Sequence, residues 1–109
     1  MKQYELWWAQ MPEPIGRRPV LLLSRNPAYE YLTRVIVVEI TSTIRNIPVE
    51  VGLGSAEGLR RRSVANFDNV HVVAKQHLLS RIGVIRPRRI DEVKRALGFS
   101  LDWPELKAV

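Results

Sequence analysis

The chain has no cysteine among its 109 residues. That excludes a disulfide framework and any thiolate metal or redox centre, and it fits a reducing compartment. Histidine is scarce as well. His71 and His77 stand without a second His, Cys or carboxylate at ligand spacing, so no metal site or other cofactor is expected, and neither belongs to a catalytic triad pattern. No apolar run approaches the roughly 18 residues that a membrane span needs. No opening segment joins basic, apolar and small-residue blocks as a secretion signal does. The expectation is a single cytoplasmic domain over residues 1–109 with no membrane partner, since single domains commonly hold about 100 to 150 residues and no linker-like stretch divides this one.

Charge is what the sequence has in excess. Seventeen basic residues face eleven acidic ones, a net charge of +6, and thirteen of the seventeen are arginine. The excess is concentrated: residues 17–89 carry thirteen basic and five acidic side chains, a surplus of eight, while each flank is slightly acidic. An arginine-rich field of this kind draws in polyanions, with RNA and DNA the usual partners. Solubility alone is the bland reading of the same charge.

The order of elements is read from periodicity and turn residues. Tyr4–Gln10, aromatic and apolar with Trp7 beside Trp8, reads as a strand, and Met11–Gly16, with two prolines and a glycine, as a loop. Pro19 fits the start of the strand that runs through Val20–Ser24. Asn26 before Pro27 resembles a cap ahead of a first-turn proline, so a short helix is expected over Pro27–Leu32, followed by strands at Val35–Ile40 and Ile47–Leu53. Asp68-Asn69, a turn-prone pair, separates two short strands at Ser63–Phe67 and Val70–Ala74. Lys75–Ser80 reads as a helical turn and Arg81–Ile85 as a last strand. Beyond Pro87, apolar residues at Ile90, Val93, Ala96, Leu97 and Leu101 keep helical spacing, and Gly98 weakens only the end of that helix. Many short strands and one helix predict an α+β, mostly β fold. Its form is a small barrel of bent antiparallel strands with the C-terminal helix over its open side.

Two strand ends carry the residues suited to phosphate chemistry. Gly16-Arg17-Arg18-Pro19 leads into one apolar strand, and another ends in Thr41-Ser42. A guanidinium donates in parallel pairs and never loses its proton, and a hydroxyl supplies a further donor. Taken singly, an arginine before proline is an extended edge residue and a threonine an ordinary strand former. Arg60-Arg61-Arg62 and Arg86 with Arg88-Arg89 form two basic runs, each by default a solvated face. Tyr29 and Tyr31 have the aromatic rings that stack on bases, and equally the rings that pack a short helix onto a sheet.

In order along the chain stand Trp7-Trp8-Ala9, Gly16-Arg17-Arg18-Pro19-Val20-Leu21-Leu22-Leu23-Ser24, Ile40-Thr41-Ser42, Ser63-Val64-Ala65-Asn66-Phe67-Asp68, Arg81-Ile82-Gly83 and Ala96-Leu97-Gly98. Together they resemble the MazF/PemK (Kid-like) toxin family over nearly the whole length. The resemblance implies an SH3-like barrel that forms a homodimer. It implies a metal-independent endoribonuclease, an mRNA interferase, that cleaves single-stranded RNA and is neutralised by a cognate acidic antitoxin. It assigns the family's catalytic arginine to Arg18 and its catalytic threonine to Thr41. Ser42 and Asp68 fall on auxiliary positions, though Asp68 also has a turn former's context, and Arg17, Arg60, Arg61 and Arg62 are the RNA contacts to expect. The chain departs from the family in one place. Only Pro12-Glu13-Pro14-Ile15-Gly16 intervenes where many members carry a longer loop that gates the groove, so an opener site is expected. The alternative on the same barrel is a non-catalytic, CcdB-like toxin that binds DNA gyrase through its C-terminal helix end. Leu101-Asp102-Trp103-Pro104-Glu105 does not reproduce that group's Trp-Gly-Ile ending.

Overall fold

Apolar and β-branched stretches broken by turn residues produce six strands, described over residues 1–109 in a computed structural model. They are β1 (Glu5–Gln10), β2 (Arg17–Leu22), β3 (Arg34–Thr41), β4 (Glu50–Leu53), β5 (Ser63–Ala74) and β6 (Leu78–Val84). They form one sheet in the order β4-β5-β3-β2-β1-β6, every neighbouring pair antiparallel. Three α-helical segments accompany it: α1 (Ala28–Tyr31), α2 (Ile90–Ser100) and α3 (Pro104–Lys107). The expected small barrel is realised as a strongly curled half-barrel with α2 on its open side.

Both faces of the curl are buried, which is why β2 and β3 read as continuous apolar runs. One core gathers Leu6, Leu21, Val38, Ile40, Ala65 and Phe67 with Val93 and Ala96 of α2. The other, on the opposite face, gathers Ala9, Val20, Leu22, Val35, Val37 and Val73 with Tyr29 of α1. Each Val, Leu, Ile or Phe among them that is fully withdrawn from water contributes roughly 1.5–3 kcal/mol, so the two layers are the main source of stability.

The curl closes where the 3-10 turn Ser55–Glu57 meets β6. A Cβ at Gly83 would lie 2.0 Å from the Glu57 carbonyl oxygen, and one at Gly58 would lie 2.6 Å from that of Ile82. Gly58 also sits at φ +91°, in the left-handed region. The seam is therefore backbone against backbone, and a side chain on either glycine would hold it open. Buried Glu57 caps the turn by accepting the Gly54 N–H at 2.7 Å. Arg89 ties it down, reaching Glu57 at 3.3 Å, the Gly52 carbonyl at 2.7 Å and Glu92 at 2.8 Å. The hydrogen bond from Arg89 holds the Glu92 carboxyl below its usual range against the opposing effect of burial. On β1, beside the residue that pairs with Gly83, burial pushes Glu5 up, yet hydrogen bonds from Trp7, Arg81 and the Lys2 N–H outweigh it and hold its carboxyl below the ordinary value.

Several sequence expectations are corrected. The two strands predicted at Ser63–Phe67 and Val70–Ala74 are one strand, β5, with a large bulge. Val38 pairs with Val70 and Ile40 with Ala65, so Glu39 alone faces Asn66, Phe67, Asp68 and Asn69. The local turn chemistry is real, since the Asn66 side chain accepts the Asp68 N–H at 2.9 Å. The chain nevertheless does not reverse, because Phe67 N–H donates to the Val49 carbonyl at 2.9 Å and β4 pairs along Ser63–Asn66. β2 starts at Arg17, earlier than expected, and its ladder with β3 begins only at Val20, past the proline that has no N–H to give. The helical turn after β5 is confined to Lys75–His77, and β6 starts at Leu78 instead of Arg81. Strand β4 is Glu50–Leu53, shorter than Ile47–Leu53. Gly98 is buried and does not fray α2: its Cβ would lie 2.6 Å from that of Leu106, so α3, which the sequence did not announce, packs directly on it.

Candidate active site

The ends of β2 and β3 open onto a cleft of about 690 Å³. Its lining includes Arg17, Arg18, Thr41, Ser42, Arg60 and Arg61 together with Trp8 and Ile40. Residues far apart in sequence thus converge because β2 and β3 are antiparallel neighbours. Their register pairs Val20 with Glu39, and extending it by two residues sets Arg18 across from Thr41. The Thr41 hydroxyl accepts the Thr43 N–H at 3.2 Å, which leaves its own proton free to donate.

Arg17 and Arg18 point to opposite faces of β2, as successive strand residues must. The Arg17 guanidinium lies 4.9 Å from the centre of the Trp8 ring, a cation–π contact that steadies a charge exposed at the cleft. The Arg18 Nη1 donates to Glu39 Oε1. Sequence reasoning misses Glu39, and with it the partner it provides for His71, whose Nε2 lies 3.0 Å from Glu39 Oε2. A signal is present: Glu39 interrupts an apolar strand at the same parity as buried Val35 and Val37, and a carboxylate there requires partners.

Other candidates fall elsewhere. Arg60 and Arg61 line the cleft, whereas Arg62 borders a small neighbouring hollow with Asn46 and Glu50. Asp68 lies away from the cleft and accepts the Ser100 hydroxyl at 2.9 Å, a contact that fastens the bulge to α2. Tyr29 is buried in the second core, where burial pushes its hydroxyl up to about 12, and Tyr31 is exposed outside the cleft. Of the second basic run, Arg89 is engaged structurally by Glu57 and Glu92. None of residues 12–16 reaches the cleft, in keeping with the short loop there.

Substituting Arg61 and Arg62 by glutamine should weaken binding of a polyanion such as single-stranded RNA across sequences and lower the salt dependence of log Kd by about one for each phosphate that either side chain neutralises. Binding titrations at several salt concentrations check it. An unchanged slope would mean that these side chains touch no phosphate.

Two arginines and two hydroxyls at the ends of adjacent strands line one cleft on a small curled sheet, a donor set of the kind that phosphate binding calls for. The chain belongs to the PemK-like, MazF-like toxins of type II toxin-antitoxin systems, whose family model matches residues 2–101. It is 39% identical over 99 residues to the probable endoribonuclease MazF5 of Mycobacterium tuberculosis, covering 90% of each chain. It is 36% identical over 101 residues to the probable endoribonuclease MazF2 of the same species, covering 92% of this chain and 97% of that one. Among solved structures it resembles M. tuberculosis toxin MazF-mt6 with a TM-score of 0.85 at 31% identity, over 90% of this chain and 96% of that one. It also resembles a mycobacterial endoribonuclease solved in complex with its cognate antitoxin, with a TM-score of 0.83 at 26% identity, over 95% and 97% of the two chains. No helix of this chain is long and apolar enough to cross a membrane.

Proposed function

We propose that this toxin is an endoribonuclease that cleaves single-stranded RNA without a metal ion, Arg18 and Thr41 being its catalytic groups. The observation that carries this reading is their juxtaposition in one cleft at the ends of β2 and β3. Such cleavage requires the 2′-hydroxyl to attack the adjacent phosphorus, whose oxygens gain negative charge as the new bond forms. Fixed donors aimed at those oxygens lower the barrier because they need not reorganise as the charge appears. The Arg18 fork supplies parallel donors and Thr41 a hydroxyl. Charge stabilisation ranks above proton transfer for Arg18, since a guanidinium does not give up its proton at neutral pH. Ser42 adds a hydroxyl beside Thr41, and Arg17, Arg60 and Arg61 hold the flanking phosphates. No three His, Asp or Glu side chains converge where they would hold a metal ion.

The gyrase-binding alternative is not favoured. It makes no use of the arginine and threonine that the cleft brings together, and the relatives above carry endoribonuclease names. The working protein is proposed to be a cytoplasmic homodimer, with an acidic antitoxin segment folding onto the basic cleft and displacing RNA.

Cleavage should persist in EDTA and leave a 5′-hydroxyl on one fragment and a cyclic or 3′-phosphate on the other. End mapping of a defined RNA checks this. Activity that vanished in EDTA and returned with magnesium would overturn the metal-free reading.

A further inference from the structure

We infer that Glu39 is a positioning residue for cleavage: it clamps the Arg18 guanidinium in the orientation that presents its free edge to the scissile phosphate. The inference rests on the reading of Arg18 as the group that holds that phosphate.

Glu39 is only 8% exposed and stands in an otherwise apolar strand. Its two oxygens are used on opposite sides, Oε1 by Arg18 of β2 and Oε2 by His71 of β5, the latter at 3.0 Å. Both partners are diagonal neighbours on the same sheet face. Glu39 faces Val20, two residues from Arg18, and His71 faces Val37, two residues from Glu39. The β5 bulge lies opposite Glu39 and nowhere else along β3. Bulges re-aim side chains next to functional sites, and this one sits directly across from Glu39.

Stability does not account for the arrangement. The partners of Glu39 keep 32% and 33% of their side-chain surface exposed, a setting in which ion pairs add little stability, and Val35 and Val37 show what this face otherwise holds. Geometry does account for it. Arg18 belongs to the cleft lining and Glu39 does not, and the carboxylate holds one Arg18 nitrogen on the sheet face opposite Trp8. A guanidinium carries five N–H donors, so one given to Glu39 leaves a parallel pair for the phosphate. His71 in turn anchors the carboxylate from its far side. The negative charge of Glu39 also opposes RNA binding. Its benefit therefore belongs to the cleavage step and not to affinity, a split that a purely structural role would not produce.

The test is single-turnover cleavage at saturating protein, alongside RNA affinity and circular dichroism, for Glu39→Gln, Glu39→Leu, Arg18→Lys and the Arg18→Lys/Glu39→Gln double variant. Glu39→Gln should slow cleavage about 10-fold and Glu39→Leu about 100-fold, the scale of a misaligned catalytic group, with affinity unchanged or tighter. The double variant should be no slower than Arg18→Lys alone, because no fork remains to be positioned. In an Arg61→Gln background the effect of Glu39→Gln should multiply in full. If Glu39→Leu fails to fold, the isosteric glutamine variant carries the test. Wild-type cleavage by the Glu39 variants beside a crippled Arg18→Lys would overturn the inference and leave the catalytic reading standing. So would faster cleavage, which would mean that Glu39 masks Arg18. Multiplying effects in the double variant would count equally against it. Near-normal cleavage by Arg18→Lys would instead overturn the reading itself.

Discussion

Arg18→Lys is expected to slow single-turnover cleavage by about 100- to 1,000-fold while RNA affinity stays nearly constant. The figure is what removal of one preorganised oxyanion donor typically costs. The substitution keeps the positive charge but loses the planar fork, and an ammonium on a flexible stem does not reproduce two parallel donors. Ground-state binding, spread over Arg17, Arg60 and Arg61 as well, changes little. Thr41→Val should act in the same direction, since it keeps the β-branched shape and deletes only the hydroxyl. The measurement is the single-turnover rate beside a binding isotherm. A parallel loss of rate and affinity would assign Arg18 to substrate binding and not to the transition state.

The largest effect on stability is expected from Gly83→Ala. The added methyl would fall 2.0 Å from the Glu57 carbonyl oxygen, and that neighbour is backbone, unable to swing aside as a side chain would. Overpacking of this kind costs about 3 kcal/mol. For a domain near 100 residues that lowers the thermal midpoint by roughly 10 to 20 °C. The turn pushed away also leads into Gly58, Leu59 and Arg60 of the cleft lining, so cleavage should fall with stability. Gly52→Ala is the control, having no atom within 4 Å of the new methyl. Thermal unfolding of both variants checks it, and equal midpoints would mean that the seam is loose.

Strands β1, β2 and β3 and the closing helix are legible because the strands declare themselves by apolar character and α2 by its spacing. The cleft is legible in part: Arg17, Arg18, Thr41, Ser42, Arg60 and Arg61 converge, while Arg62 and Asp68 do not. Asp68-Asn69 misleads because turn propensity is local. The hydrogen bond from Asp68 to Asn66 forms as that propensity demands, but pairing with β4 carries the strand onward. The short helix α3 is hidden for a related reason: four residues do not hold a helix alone, and this one depends on the bare surface at Gly98. Glu39 is the most consequential omission. Its meaning lies in diagonal neighbours on two other strands, a relation that no spacing along one chain expresses.

Because Arg18 and Arg17 occupy successive positions of one strand, the chemistry of this protein is written in odd and even residue numbers. Losing a single residue between Pro19 and Leu22 would deliver Arg17 to the side of Glu39 and send Arg18 to the side of Trp8, with the strand still pairing and its composition hardly altered. Length variation is therefore barred from β2 and β3 and displaced into the connections at 11–16, 42–49 and 54–62. Two of these connections supply cleft residues, so new sequence preferences have room to evolve at the rim while the proposed catalytic pair, Arg18 and Thr41, stays locked to the sheet.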